Sequence, residues 1–121
     1  MTKKIIMSEV NYLILKDIYK KLELETINEA ELTKEVKGCY IGDLLSNVMA
    51  RAQEGELWIT IQGHQNVIAV ALLTEVSAVI VCEDIEVDEN TIKRANEKEV
   101  NVFRSNLSAY DLAKKLVNIG I

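Results

Sequence analysis

Apolar residues recur at helical spacing at Val10, Leu13, Ile14 and Ile18, and Ser8 stands where a side-chain oxygen can cap exposed amides. The spacing predicts an amino-terminal helix over roughly residues 8–21, its entry packed by Ile5, Ile6 and Met7. Residues 22–27 read as a short strand, residues 28–33 as an acid-rich connection and residues 36–41 as a second strand, which suggests an antiparallel pair. After Asp43, a helix carries Leu44, Leu45, Val48, Met49 and Ala52 on one stripe and ends before Gly55, a residue suited to leaving a helix in a left-handed conformation. A strand over 57–61, an apolar helix over 67–75 and the unbroken apolar strand 78–82 follow; the last has the pattern of a central strand covered on both faces. Asp88 is placed to cap a polar helix through Lys98, whose apolar contacts are Ile92 and Ala95, and residues 100–103 form the last strand. Ser108 and Asp111 resemble a capping box opening a final helix that turns Leu112, Ala113, Leu116 and Val117 to the core before Gly120. Three successive strand–helix units with short loops predict an α/β fold: a mostly parallel sheet of about four to five strands, helices on both faces and right-handed crossovers.

The length of 121 residues suits one domain over the whole chain, able to bury about two-thirds of the surface that its unfolded form exposes. With 49% hydrophobic and 27% charged residues the chain has globular composition. At a net charge of −5 its cations lie scattered among acids, as with Lys93, Arg94 and Lys98 among Glu89, Glu97 and Glu99. Nucleic acid is therefore not an expected partner, because phosphate neutralisation dominates that affinity. The longest apolar run, residues 67–73, is far shorter than the roughly 20 residues that span a bilayer, and the amino terminus has no export-type apolar core. A soluble, cytoplasmic protein without membrane association is expected. Cys39 and Cys82 fall in separate strand-like stretches without metal or redox spacing, which reads as buried free thiols.

Parallel strands present their carboxyl ends on one edge, where α/β domains keep their ligand sites. The residues just beyond those ends are Asp43, Gln62, Gly63 and His64, Cys82, Glu83 and Asp84, and Arg104, Ser105 and Asn106. Asp43, Gln62, Gly63, His64, Glu83, Arg104 and Ser105 are thus candidate ligand-binding residues lining one crevice, with Arg104 and the amides from Gly63 to Asn66 able to meet an anion at a helix start. Each has a plainer reading: Asp43 as a helix cap, His64 as a solvent-facing turn residue, Arg104 as the partner of Glu83 or Asp84. His64 is the sole histidine, and no metal site or cofactor is expected. No nucleophile–base pair or phosphate loop is legible, so no hydrolase, kinase or oxidoreductase activity is expected. The helix over 67–75 is apolar all round and needs cover on both sides. Either a second copy supplies it, in a homodimer through Val67, Val70, Ala71 and Leu73, or the amino-terminal helix does so within the monomer.

The segments Gly38-Cys39-Tyr40-Ile41-Gly42-Asp43-Leu44-Leu45-Ser46, Gly55-Glu56-Leu57-Trp58-Ile59-Thr60-Ile61-Gln62 and Asn66-Val67-Ile68-Ala69-Val70-Ala71 resemble a small stand-alone member of the DRTGG domain family, over about residues 8–121. The signature itself differs: Thr33-Lys34 aligns with its Asp-Arg pair and Lys37-Gly38-Cys39 with Thr-Gly-Gly, so only Gly38 is retained. The resemblance implies a regulatory or dimer-forming domain, as in the kinase acting on the phosphocarrier protein HPr, CBS-domain pyrophosphatases and some phosphate acetyltransferases. Stand-alone members occur in anaerobic bacteria near iron-only hydrogenase genes. Two functions follow as expectations. One is a non-catalytic regulatory module that binds a small anionic or nucleotide ligand at the carboxyl edge of the sheet and acts through a homodimer or partner protein. The other is a dimerisation or interaction scaffold without ligand, in an anaerobic or hydrogenase-linked setting.

Overall fold

A computed structural model describes residues 13–121. Its elements run β1 (Leu13–Ile14), α1 (Leu15–Lys21), β2 (Glu25–Asn28), β3 (Glu35–Val36), β4 (Gly38–Ile41), α2 (Leu45–Arg51), β5 (Glu56–Thr60), α3 (Asn66–Thr74), β6 (Ala78–Val81), α4 (Glu89–Lys98), β7 (Val102–Arg104) and α5 (Ala109–Asn118). The main sheet has the order β2-β7-β6-β5-β4, in which β4 to β7 are parallel and β2 runs antiparallel on the edge beside β7. The α/β class, the mostly parallel five-stranded sheet and the helices on both faces agree with the pattern in the sequence. The all-apolar β6 lies at the centre of the sheet, buried along its whole length.

Alternation along the strands divides the core in two. Leu57, Ile59, Ala78, Ile80 and Phe103 face α1 and α5, meeting Leu15, Ile18, Leu112 and Leu116. Trp58, Val79, Val81 and Val102 face the other way, into a layer built from Val48 of α2, Val67, Ile68, Val70 and Ala71 of α3 and Ala95 of α4. The connectivity accounts for this division. Strands β4, β5, β6 and β7 follow one another across the sheet, and crossovers of one hand then place α2, α3 and α4 on the same face. The opposite face is left for α1 and α5.

Several local expectations change. The helix predicted over residues 8–21 begins at Leu15; Leu13 and Ile14 pair antiparallel with Val36 and Glu35, while Ser8, Val10 and the entry residues 5–7 lie outside the described residues. The antiparallel pair predicted for strands 22–27 and 36–41 does not form: β2 pairs with β7, and β4 pairs parallel with β5. The predicted strand 36–41 is broken at Lys37, whose amide donates to Gly55 O (2.8 Å). Gly55 has the anticipated positive φ of 84°, but α2 ends earlier, at an extended Ala52, and Gly55 serves the turn into β5. Leu44, Met49 and Val117 are exposed rather than core-facing.

The amino-terminal helix α1 does not cover α3, and much of the α3 surface is buried by neighbouring helices of the same chain. The flanks of α3 are α2 and α4 in its own layer, with α1 on the far side of the sheet. Val67, Val70 and Ala71, expected at a dimer interface, are therefore buried within the monomer, and of the four only Leu73, at 71% exposure, offers its side chain to a partner.

Cys39 is half-buried on β4 and Cys82 is buried, and both are free thiols. Burial, helped by the Glu56 carboxylate opposite, pushes the Cys39 thiol up to about 12. A folded value above the ordinary 9.0 means that the neutral thiol favours the fold below about pH 9 and that this contribution is lost as pH rises towards 12. Urea unfolding at pH 8 and pH 10.5 is expected to show a larger loss of stability for the wild type than for Cys39→Ala. Equal losses would contradict the burial of this group.

Candidate functional site

The loops leaving the carboxyl ends of the parallel strands form two separate groups. Those after β4 and β5 both lead to helices on one face and lie against each other. Asp43 Oδ1 accepts hydrogen bonds from Thr60 Oγ1 and from the amide of Ile61, each at 2.8 Å, and the Gln62 side chain donates back to Asp43 O. Trp58 Nε1 fixes the preceding carbonyl, Gly42 O, at 2.8 Å. Asp43 is thus a brace between two loops and not the cap of α2, whose cap position is Leu44.

The turn into α3 is occupied by its own groups. His64 is exposed, and its Nδ1 accepts from the amide of Asn66 at 3.2 Å. The amides of Val67 and Ile68 reach His64 O and Gln65 O at 3.0 Å. Of the amides from Gly63 to Asn66 that were expected to meet an anion, that of Asn66 thus has an acceptor in the His64 ring, and the next two are taken by the turn itself. Gly63 has a steric role: a Cβ there would stand 2.1 Å from Glu86 O, and the Gly63 carbonyl accepts from Asp88 N (3.1 Å) and Thr91 Oγ1 (2.7 Å). That contact locks the β5–α3 turn to the start of α4.

The loops after β6 and β7 diverge, one to α4 on one face and the other to α5 on the opposite face. Adjacent parallel strands whose connections part to opposite faces open a crevice between them, the place where doubly wound sheets bind ligands. A cavity of about 360 Å³ lies beside this divergence, bounded by Leu22, Glu23 and Glu25 from the α1–β2 side, Asp84 after β6, Arg104 at the end of β7, Ser105 to Leu107 after it, and Lys115 of α5. That volume falls in the range of small-molecule sites.

Arg104 organises its wall. Nε donates to Ile85 O at 2.9 Å and Nη2 to Asp84 O at 2.8 Å, so two main-chain carbonyls fix the plane of the guanidinium. Its remaining contacts are ionic: Nη2 to Asp84 Oδ1 at 3.1 Å and Nη1 to Glu25 Oε1 at 3.4 Å. The turn that it clamps is strained, since Glu83 and Asp84 both adopt left-handed φ angles of 59° and 57°, at a cost of about 1–2 kcal/mol each. Their amides are held by Leu107 O (2.8 Å) and Ser105 O (2.9 Å), and the charge-assisted bonds of Arg104 add to that restraint.

Ser105 is only 7% exposed and lines the same cavity. Its Oγ accepts from Leu107 N at 3.1 Å, while its hydroxyl proton has no acceptor among the described residues. A buried donor without a partner is costly in a folded chain, and this residue lines a space large enough for a ligand. Lys115 makes no ion pair among the described residues.

Of the residues singled out from sequence, Arg104 and Ser105 line this cavity. Glu83 belongs to the clamped turn, and Asp43, Gln62, Gly63 and His64 form the other group. The single crevice expected from all seven does not form: the β4 and β5 loops close on each other through Asp43, the β6 and β7 loops are tied to each other through Glu83, Asp84 and Arg104, and the cavity lies beyond Arg104 towards β2 and α5. Leu22, Glu23, Glu25, Leu107 and Lys115 were missed, and the antiparallel register that sets Glu25 opposite Arg104 is the signal that would have found Glu25. Among the described residues no group of three or more His, Cys, Asp or Glu side chains is placed to hold a metal ion, and no helix is long and apolar enough to cross a membrane. Burial pushes the Cys82 thiol up, with Glu83 and Asp43 adding to the effect, so Cys82 supplies no thiolate nucleophile at neutral pH.

The DRTGG domain family matches residues 17–119. No curated protein matches the chain. Among solved structures it is similar to the CBS and DRTGG domains of the regulatory region of Clostridium perfringens pyrophosphatase, crystallised in complex with an activator, diadenosine tetraphosphate. The TM-score is 0.68 at 19% identity, over 85% of this chain and 45% of that one. The chain thus spans less than half of that structure, and likeness at this identity is a likeness of fold.

Proposed function

Since the chain belongs to the DRTGG domain family, we propose that it is a non-catalytic regulatory module that senses a small anionic ligand of the nucleotide class in the Arg104 cavity. The observation that carries this reading is the buried Ser105 hydroxyl, which has no acceptor among the described residues, lining a cavity of ligand size with a pre-oriented guanidinium and the ammonium of Lys115, which makes no ion pair among the described residues. A hydroxyl, a guanidinium and an ammonium around one space suit an anion once the exposed carboxylates of Glu23, Glu25 and Asp84 at its edge turn aside, and the flanking Leu22 suits the less polar part of a nucleotide. The structural neighbour supports it by class, as part of a regulatory region crystallised with a nucleotide activator.

Calorimetric titration with AMP, ATP, inorganic phosphate and acetyl phosphate tests the reading. At least one is expected to bind at millimolar concentration or below and to raise the melting temperature as its concentration rises. Arg104→Ala should weaken that binding about tenfold or more, the loss of one charge-assisted contact of about 1.5–3 kcal/mol. Lys115→Ala, a surface change that leaves the clamp intact, should weaken it by a smaller factor, and His64→Ala should leave it unchanged. No binding to any of the four overturns the reading.

The second reading, an interaction scaffold without ligand, is favoured by one observation: Leu72 and Leu73 stand exposed on α3, and Met49 stands exposed on α2, which packs against it. A homodimer through this patch would be disrupted by Leu73→Glu, which light scattering would register as a fall to 13.6 kDa.

A further inference from the structure

We infer that Glu25 and Asp84 are internal place-holders for a phosphate group, occupying the anion-facing side of Arg104 until a phosphomonoester displaces them. This rests on the reading of the cavity as an anion site. The two sets of contacts on the guanidinium differ in kind. The carbonyls of Asp84 and Ile85 hold Nη2 and Nε at 2.8 and 2.9 Å and set the side chain in place, leaving it 24% exposed. The carboxylates are farther away, at 3.1 and 3.4 Å, and their side chains are 70% and 60% exposed. An exposed carboxylate can turn into solvent at little cost, because exposed ion pairs are weak. The backbone-fixed guanidinium stays where it is.

The donors left facing the cavity identify the incoming group. Nη1 and Nη2 of Arg104, the Lys115 ammonium and the Ser105 hydroxyl come from three side chains on two elements. A phosphomonoester presents three acceptor oxygens and close to two negative charges, enough to engage all three side chains at once. A carboxylate has two oxygens and one charge, and it serves Arg104 alone, as Glu25 and Asp84 each do. In the empty state the two carboxylates keep the cation from standing uncompensated. In the bound state the phosphate would replace them, while the main-chain bonds of Arg104 and of the Glu83–Asp84 amides keep the turn in place.

A displaceable carboxylate acts with the opposite sign from an ordinary ligand contact. Removing a competing carboxylate should tighten phosphate binding, whereas removing a ligand contact should weaken it. Asp84→Asn is suited to the test, since asparagine is among the residues that best tolerate a left-handed φ. Titration of the full chain with AMP and with inorganic phosphate is expected to give about two- to fivefold tighter binding for Asp84→Asn and for Glu25→Gln, the converted value of an exposed ion pair. The double variant should bind about tenfold tighter. Adenosine, lacking the phosphate, should be indifferent to all three changes. Weaker or unchanged AMP and phosphate binding in both single variants, with wild-type binding intact, overturns the place-holder role and leaves the anion site standing. Binding to neither wild type nor double variant, both folded by circular dichroism, overturns the anion site itself.

Discussion

Truncating Trp58 to alanine is expected to destabilise the protein by about 4 kcal/mol, a large share of the 5–15 kcal/mol typical of a domain. Trp58 is fully buried and is the largest side chain of the layer between the sheet and α2, α3 and α4. Its removal leaves a cavity between β5 and those helices and also frees Gly42 O, which its Nε1 holds at 2.8 Å. The two effects can be separated. Trp58→Phe keeps most of the apolar volume and loses the hydrogen bond, and about 1–2 kcal/mol is expected for the carbonyl left behind. Urea unfolding followed by far-UV circular dichroism checks both, since the only tryptophan is the residue changed. A loss under about 1.5 kcal/mol for the alanine variant would contradict close packing in this layer.

Gly63→Ala is expected to cost about 3 kcal/mol and to lower the melting temperature by about 10 °C. The added methyl would stand 2.1 Å from Glu86 O and 3.1 Å from Val87 Cα, and these atoms are main chain with no rotamer to yield. The same turn is tied to α4 through Asp88 N and Thr91 Oγ1, so relief would require moving the start of that helix. This glycine has no left-handed φ to explain it; its cause is close approach. Thermal unfolding that shifts by less than about 3 °C would contradict that contact.

The elements whose patterns are strong were legible in the sequence. The stretch from β5 through α3 to β6 shows its strand, apolar helix and unbroken apolar strand directly, and Ser108 accepts from Asp111 N at 3.1 Å as its capping sequence implies. Pairing was less legible, because it depends on contacts far apart in the chain. β2 and β4 are near in sequence, yet β2 joins β7, and Glu25 faces Arg104 across 79 positions. The candidate site was half legible for the same reason. The sequence brings every strand end to one edge, but which loops close on each other and which part depends on the face that each following helix takes. With α2, α3 and α4 on one face, the β4 and β5 loops brace each other through Asp43. With α5 on the other face, the crevice opens beside Arg104. The α3 helix follows the same logic: its uniform apolarity reflects a central place between two helices, so most of its candidate interface is core.

On the proposed reading, ligand binding belongs to the Arg104 cavity and not to the turn at Gly63 and His64. Amide chemical shifts recorded by NMR during a phosphate and AMP titration of the full chain measure this directly. The account predicts saturable shifts concentrated at Asp84, Arg104, Ser105 and Leu107, with the amides of His64, Gln65 and Asn66 unmoved. Shifts centred on residues 63–66, or none at millimolar ligand, would contradict it.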